Sequence, residues 1–245
     1  MKLLIDADFI VYKACAAAED EIDWGDDVIV VSSRFSEAMK IIERELKRIR
    51  DRFFEPEMIL FFSDSENFRK KIDPEYKGQR TRKKPCGYKR ALKELHNRYK
   101  TVKMSGLEAD DALGIYATTH EDCVVVSPDK DLRQIPGTLY DLSTIRTITP
   151  DEGLLWFLTQ TLSGDCTDGY SGVPGYGITK STKLFDNKGL SWETVVWAYE
   201  SKGLTEEDAL KNARLARILQ KTDYDKRTKK PILWDPSSLP VKNND

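Results

Sequence analysis

Three short runs of consecutive apolar residues punctuate the first half of the chain: Leu3 to Ile5, Met58 to Phe62 and Cys123 to Val126. Apolar runs of this length without alternation predict strands buried on both faces, as in a parallel sheet. Between them the period changes. Phe9 to Ala18 reads as the helix after the first strand, residues 19 to 33 as an acidic hairpin around Gly25-Asp26, and Ser36 to Arg52 as a long amphipathic helix. Strands alternating with helices predict an α/β fold with a mostly parallel central sheet flanked by helices.

The character of the chain changes after Leu142. Asp151 to Thr161 is predicted helical, and the following segment SGDCTDGYSGVPGYGITKSTKLF carries five glycines and one proline before a helix from about Thr179. Here the pattern predicts a helix, a glycine-rich turn and a second helix, with Gly172, Gly175 and Gly177 letting backbone amides approach a phosphate and Lys180 and Lys183 reinforcing the grip. The TKST stretch is not a nucleotide-binding P-loop, because Thr179 rather than glycine precedes Lys180. Residues 191 to 220 read as two packed helices, and the polar tail after about Lys226 is expected to be loosely ordered despite Trp234. The expected division is therefore residues 1–148 as an α/β core, 149–225 as a helical region with a glycine-rich turn at 169–179, and 226–245 as a tail.

Each predicted strand ends in acid. Asp6 follows the first, Asp64 the second, and Asp129 and Asp131 the third; Glu108, Asp110 and Asp111 open a helix, and Asp165 and Asp168 precede the glycine-rich turn. Ligands of open α/β sheets bind at the carboxyl edge of the strands, and carboxylates gathered there repel unless cations hold them together. Capping accounts for one or two acids in a first helical turn, but not for three, so Glu108, Asp110 and Asp111 are also read as metal ligands.

Composition narrows the chemistry. Charged residues make up 33% of the 245, and no apolar run approaches the length of a membrane span, so a cytoplasmic protein without a signal peptide is expected. Four dispersed cysteines and two histidines give no zinc or disulfide pattern. The near-neutral net charge of −2 conceals a segment, residues 66 to 103, with fourteen Lys or Arg against four Asp or Glu. Phe68, Tyr76, Tyr88 and Tyr99 interleave with Arg69, Lys77, Arg80, Lys83 and Lys84, a pattern suited to phosphate contacts supplemented by base stacking. A polyanion beside metal-binding carboxylates points to phosphodiester chemistry.

The order of Asp6, then Asp64 with FR and DPEYKGQR downstream, then the acids of LEADD, then SPDKD, then GDCTDGYSGVPGYG resembles the 5′ nucleases, which include flap endonucleases and 5′→3′ exonucleases. The texture of FSDSENFRKKIDPEYKGQR, KKPCGY and GDCTDGYSG is similar to the T7-type phage exonucleases, and the resemblance runs from Lys2 to about Phe185. It implies a PIN-like 5′ nuclease core, a helix-hairpin-helix-like C-terminal region, and two-metal hydrolysis at 5′ ends. One ion would be held by Asp6, Asp64, Glu108, Asp110 and Asp111, and a second region formed by Asp129, Asp131, Asp165 and Asp168, with Mg²⁺ the expected ion and Mn²⁺ its substitute. Lys77 and Arg80 would contact the reacting phosphate, Tyr76 would stack on a terminal base, and Arg69 would contact DNA or pair with a site acid. The basic segment of about 66–103 would form an arch or clamp, though it is short for a full arch. Gly175, Gly177, Lys180 and Lys183 would grip duplex backbone with a monovalent cation, and the partners implied are duplex DNA with 5′ ends, flaps or nicks, or RNA/DNA hybrids. Asp8 ranks behind these acids, as a residue that supports the ligands.

Two other classes stay open. A haloacid dehalogenase-type phosphatase would use Asp6 as nucleophile and Asp8 as acid/base, but leaves the basic segment unexplained. A non-catalytic nucleic-acid-binding relative would keep the fold without the chemistry, yet here all the expected acids are present.

Overall fold

A computed structural model describes residues 1–79 and 83–239. The first half runs β1 (Lys2–Asp6), α1 (Ala7–Ala17), β2 (Glu19–Asp23), β3 (Ile29–Ser33), α2 (Phe35–Arg50), β4 (Glu57–Phe62), α3 (Arg69–Ile72), α4 (Tyr88–Arg98), β5 (Lys100–Lys103), α5 (Ala109–Thr119) and β6 (Cys123–Val126). There follow β7 (Gly137–Tyr140), β8 (Ile145–Ile148), α6 (Pro150–Ser163), β9 (Gly164–Asp165), β10 (Tyr170–Ser171), α7 (Ile178–Lys188), α8 (Trp192–Glu200), α9 (Glu206–Ala216), β11 (Tyr224–Asp225) and β12 (Lys230–Pro231).

The central sheet has six strands in the order β5-β4-β1-β6-β7-β8, all neighbours parallel except the final β7–β8 pair. The three apolar runs lie side by side at its centre, with Leu4 beside both Ile59 and Val125. Successive side chains of a strand point to opposite faces, so each run feeds two cores. Leu3, Ile5, Leu60, Phe62, Val124 and Val126 pack against α1, α2 and α4. On the other face, Leu4, Ile59, Phe61 and Val125 pack against Ala109, Ala112 and Leu113 of α5. Along α2, Ala38, Met39, Ile42, Leu46 and Ile49 are buried at helical spacing, the stripe expected of a helix laid on a sheet.

A third core joins α6, α7, α8 and α9 around Phe157, Leu158, Phe185, Val195 and Tyr199. Tyr76 from the basic segment belongs to it. So does Trp234, which is 4% exposed and meets Phe157 and Trp192 at ring-centroid distances of 5.1 Å each. The tail expected to be loose is thus tied back over the helices by one large aromatic side chain as far as residue 239. The expected hairpin at residues 19–33 is present as β2–β3, whose strands pair only with each other among the described residues, and turns at Gly25, Asp26 and Asp27, all with positive φ.

Between α6 and α7 the chain differs from the expected single turn. A short hairpin, β9–β10, intervenes, and Gly172 packs so tightly that a Cβ there would lie 2.2 Å from the Leu162 carbonyl oxygen. Gly172 therefore serves close backbone packing that no larger residue would fit. Gly175, at φ +80°, and Gly177, which precedes α7, do lie exposed at the open start of that helix.

Candidate active site

Because β1 is central with β4 and β6 on either side, the residues that follow these strands meet at one edge of the sheet. There a cleft of about 570 Å³ is lined by Asp6, Asp8, Asp64, Glu108, Asp110, Asp129, Asp131 and Asp168, together with Lys77, Lys84 and Lys103. Seven of the nine predicted acids thus share one wall. Asp165 lies just outside it, its Oδ1 accepting from the amides of Thr167 (2.7 Å) and Asp168 (3.3 Å) while Lys130 stands 4.0 Å from Oδ2.

Asp111 is the exception. It is 0% exposed, and its two oxygens accept from Arg69 Nη1 at 2.7 Å and Nη2 at 2.8 Å, with the Leu219 amide at 3.2 Å from Oδ1 and the Glu108 amide at 3.3 Å from Oδ2. Predicted as a metal ligand, it is instead the buried counter-ion of an arginine. Arg69, predicted as a DNA contact or an acid's partner, is 3% exposed and takes the second role. Its remaining donors go to the Leu215 and Arg217 carbonyls (2.9 and 2.5 Å) and to Glu108 (3.3 Å). One guanidinium thus ties α5, which presents the acids, to the end of α9.

Tyr76 also departs from expectation. At 2% exposure its ring cannot stack on a base; its hydroxyl lies 2.8 Å from Asp168 Oδ2 and 3.1 Å from Glu108 Oε2. The neighbouring Lys77 has a positive φ of 57°, its amide donates to the Asp168 carbonyl at 2.8 Å, and its Nζ is bonded to Glu108 and lies 3.5 Å from Asp168. Burial opposes charge on Lys77, but Glu108 and Asp168 overcome it and hold the ammonium firmly protonated. Lys84, also on the cleft wall, lies over the Tyr88 ring at 4.6 Å, and Lys83 is exposed. Arg80 lies outside the described residues.

The acids fall into two electrostatic groups. Burial raises Asp6 to about 6, with Asp8 adding to it against the hydrogen bond from Ser127. Burial and then Asp129 and Asp165 raise Asp131 to about 7, and burial with Asp6 and Asp129 pushes Asp110 well up. Asp64, in contrast, is held at about 2 by the Gly106 amide (2.8 Å) and Lys103 (2.9 Å). Burial would raise Glu108 too, but Lys77 and Arg69 bring it to about 2.

Carboxyls that suppress one another's ionisation in a shared cleft are an environment that a hard cation relieves, and an all-oxygen donor set fits Mg²⁺ or Mn²⁺. Among the described residues, no group of three or more His, Cys, Asp or Glu side chains is placed to hold a metal ion. An ion that keeps most of its waters requires only one or two carboxylates.

Several further residues support these acids. Ser127 donates to Asp6 at 2.9 Å, and Gln160 donates to Asp131 at 2.7 Å and is itself held by Gln134. Asp8 accepts from the Ser63 amide at 2.8 Å and from the Tyr88 hydroxyl at 2.7 Å, so it braces the start of α1 against the residue after β4 and against α4. Of these, the sequence marks Asp8 as a supporting residue and places Ser127 in SPDKD and Tyr88 in KKPCGY. Polar residues such as Gln134 and Gln160 carry no local signal of burial.

Comparisons with known proteins bear on the family and the fold. A family model described as 5′-3′ exonuclease, N-terminal resolvase-like domain, matches residues 1–153. The chain is 31% identical to the exodeoxyribonuclease of Enterobacteria phage T3, covering 96% of this chain and 93% of that protein, and 31% identical to the exonuclease of Escherichia phage T7 with the same coverage. Among solved structures, the phage T5 D15 protein co-crystallised with metal ions superposes with a TM-score of 0.62 at 16% identity, over 90% of this chain and 89% of that one. The catalytic core of Rad2 in complex with DNA substrate gives 0.55 at 14% identity, over 96% and 82%. At these identities the structural matches speak for the fold alone.

Proposed function

Because the chain belongs to the 5′-3′ exonuclease family, we propose that its acid-lined cleft hydrolyses phosphodiester bonds at the 5′ ends of duplex DNA, with divalent cations bound. The observation that carries this reading is the meeting of acids from three strand ends and one helix start with Lys77 in a single cleft. Both phage relatives named as exonucleases, and the D15 protein crystallised with metal ions, support it.

Asp6, Asp64, Glu108 and Asp110 would hold one cation, and Asp129, Asp131, Asp165 and Asp168 would form the second region. When bound, the cations supply activation of water and neutralisation of charge on the attacked phosphate. Lys77, charged and anchored by its own amide on Asp168, would leave its acids for the scissile phosphate. The same anchor joins it to the loop before the glycine-rich turn, where the exposed α7 start, Lys180 and Lys183 would grip the duplex backbone; a helix start with free amides suits phosphate. Lys83, Lys84 and Arg80 would add phosphate contacts, and Asp111 and Arg69 would keep α5 in place. Such contacts carry no base information, so recognition would rest on ends and junctions.

Cleavage of end-labelled blunt duplex, flap, nicked and RNA-primed substrates, read as product lengths, tests the reading. Products released stepwise from the 5′ end are expected; release from the 3′ end, or no cleavage in any divalent cation, would overturn it. Lys77→Ala is expected to lower turnover about 10²–10³-fold, as for loss of a preorganised donor to a developing charge.

A further inference from the structure

A second groove adjoins the acid-lined cleft beside the edge strand β5. Lys103, whose ammonium pairs with Asp64, forms part of the wall of the cleft and also part of the wall of this groove of about 550 Å³. The groove runs between β5, α5 and the β11–β12 turn. Met104, Tyr116 and Tyr224 give it an apolar wall, and Lys226 and Lys229 stand at its rim.

Both sides of the groove are held. Tyr116 stacks on His120 with centroids 4.0 Å apart and meets Phe61 edge-on, while Tyr224 packs against the small core of Phe68, Leu107, Ile115 and Leu219. The lysine-bearing turn is tied by Asp225, which accepts from the Arg227 amide at 2.8 Å and the Thr228 hydroxyl at 2.7 Å. Between Lys226 and Lys230 the turn carries four exposed cations and no acid.

We propose that this groove binds single-stranded nucleic acid: the unpaired extension of the strand whose scissile phosphate lies in the cleft, leaving past Lys103. The inference rests on the function proposed above. Three features decide the ligand class. The lysines match phosphates, and the groove adjoins the cleft, with Lys103 lining both. The apolar and aromatic wall suits unpaired bases, whereas a duplex keeps its bases stacked inside and would meet that wall only with phosphates and sugars.

The test compares the wild-type protein with Lys226→Glu/Lys229→Glu on a labelled duplex that is blunt, or extended by about eight unpaired nucleotides at its 5′ or its 3′ end. Affinity is measured by fluorescence anisotropy in chelator across a salt series. The wild type is expected to bind the 5′-extended duplex more tightly than the blunt one. In the variant that gain should fall about tenfold or more, with a log–log salt slope shallower by roughly 1.4, for two lost single-strand phosphate contacts. Blunt-duplex affinity and cleavage should stay unchanged in the variant. Equal binding of the 5′-extended substrate by both proteins, with equal slopes, would overturn the groove. So would a loss confined to the 3′-extended duplex. Failure of the wild type to cut any 5′-ended duplex would instead overturn the function reading, and the binding comparison, which needs no cleavage, would still decide the groove.

Discussion

Replacing Asp111 by Asn separates a buried structural acid from a metal ligand. The Asp111 carboxylate is 0% exposed and takes both terminal nitrogens of Arg69 within 2.8 Å, so the substitution leaves a buried guanidinium opposite a neutral amide. Breaking a buried pair by removing one partner costs about 3–5 kcal/mol. At this chain length each kcal/mol corresponds to about 2–4 °C in Tm, so a fall of roughly 6–20 °C is expected in chelator. Asp110, one residue away, should behave oppositely. Burial and its neighbours Asp6 and Asp129 already oppose its charge, so Asp110→Asn should leave the metal-free Tm unchanged or raised, and should abolish most of the stabilisation by added Mg²⁺. Differential scanning calorimetry of both variants with and without Mg²⁺ makes the comparison. The double variant Arg69→Met/Asp111→Leu should lose less than the sum of its parts, because no buried charge remains unpaired. If Asp111→Asn keeps the wild-type Tm in chelator yet loses the Mg²⁺ response, the structural assignment is wrong.

Three further outcomes follow from the same structure. Asp6 at about 6 and Asp131 at about 7 lie above their unfolded values, so the stability they contribute is present at acid pH and lost as pH rises through those values. Asp64 and Glu108, near 2, stay ionised across that range. A cation competing for the raised carboxyls should therefore lift Tm little at about pH 5 and fully by about pH 8, and an equal lift at both would contradict the shifts. Gly172→Ala sets a Cβ 2.2 Å from the Leu162 carbonyl and should cost about 1–3 kcal/mol or more by urea denaturation; a wild-type midpoint would show that the hairpin yields. Trp234→Ala empties a site between Phe157 and Trp192 and should cost about 3–5 kcal/mol, whereas a cost near zero would mean that the tail does not seal the helical core.

The parts of this molecule that were legible in its sequence are those set by local pattern. Consecutive apolar residues at 3–5, 58–62 and 123–126 specify strands buried on both faces, and the acids immediately after them must then share the carboxyl edge. What stayed hidden depends on distant partners. Helical phase separates Asp110 from Asp111 by about a hundred degrees but cannot say which faces the cleft. That is decided by Arg69, 42 residues earlier, which draws Asp111 inward. An aromatic residue beside a lysine suits base stacking equally well whether exposed or buried, and Tyr76 proves to be a buried bridge between Glu108 and Asp168. The tail is polar in composition, so its average predicts looseness, whereas Trp234 and Leu239 pack it against the helical core.

Cleavage of a linear duplex labelled at its 5′ end, followed in excess chelator and then after addition of Mg²⁺, tests the central claim most directly. The acid-lined cleft predicts no release of labelled product in chelator and prompt release from the 5′ end once Mg²⁺ is in excess, with Asp110→Asn inactive in both. Full cleavage in chelator by the purified protein, or wild-type cleavage by Asp110→Asn, would contradict a nuclease whose carboxylates work by holding divalent cations.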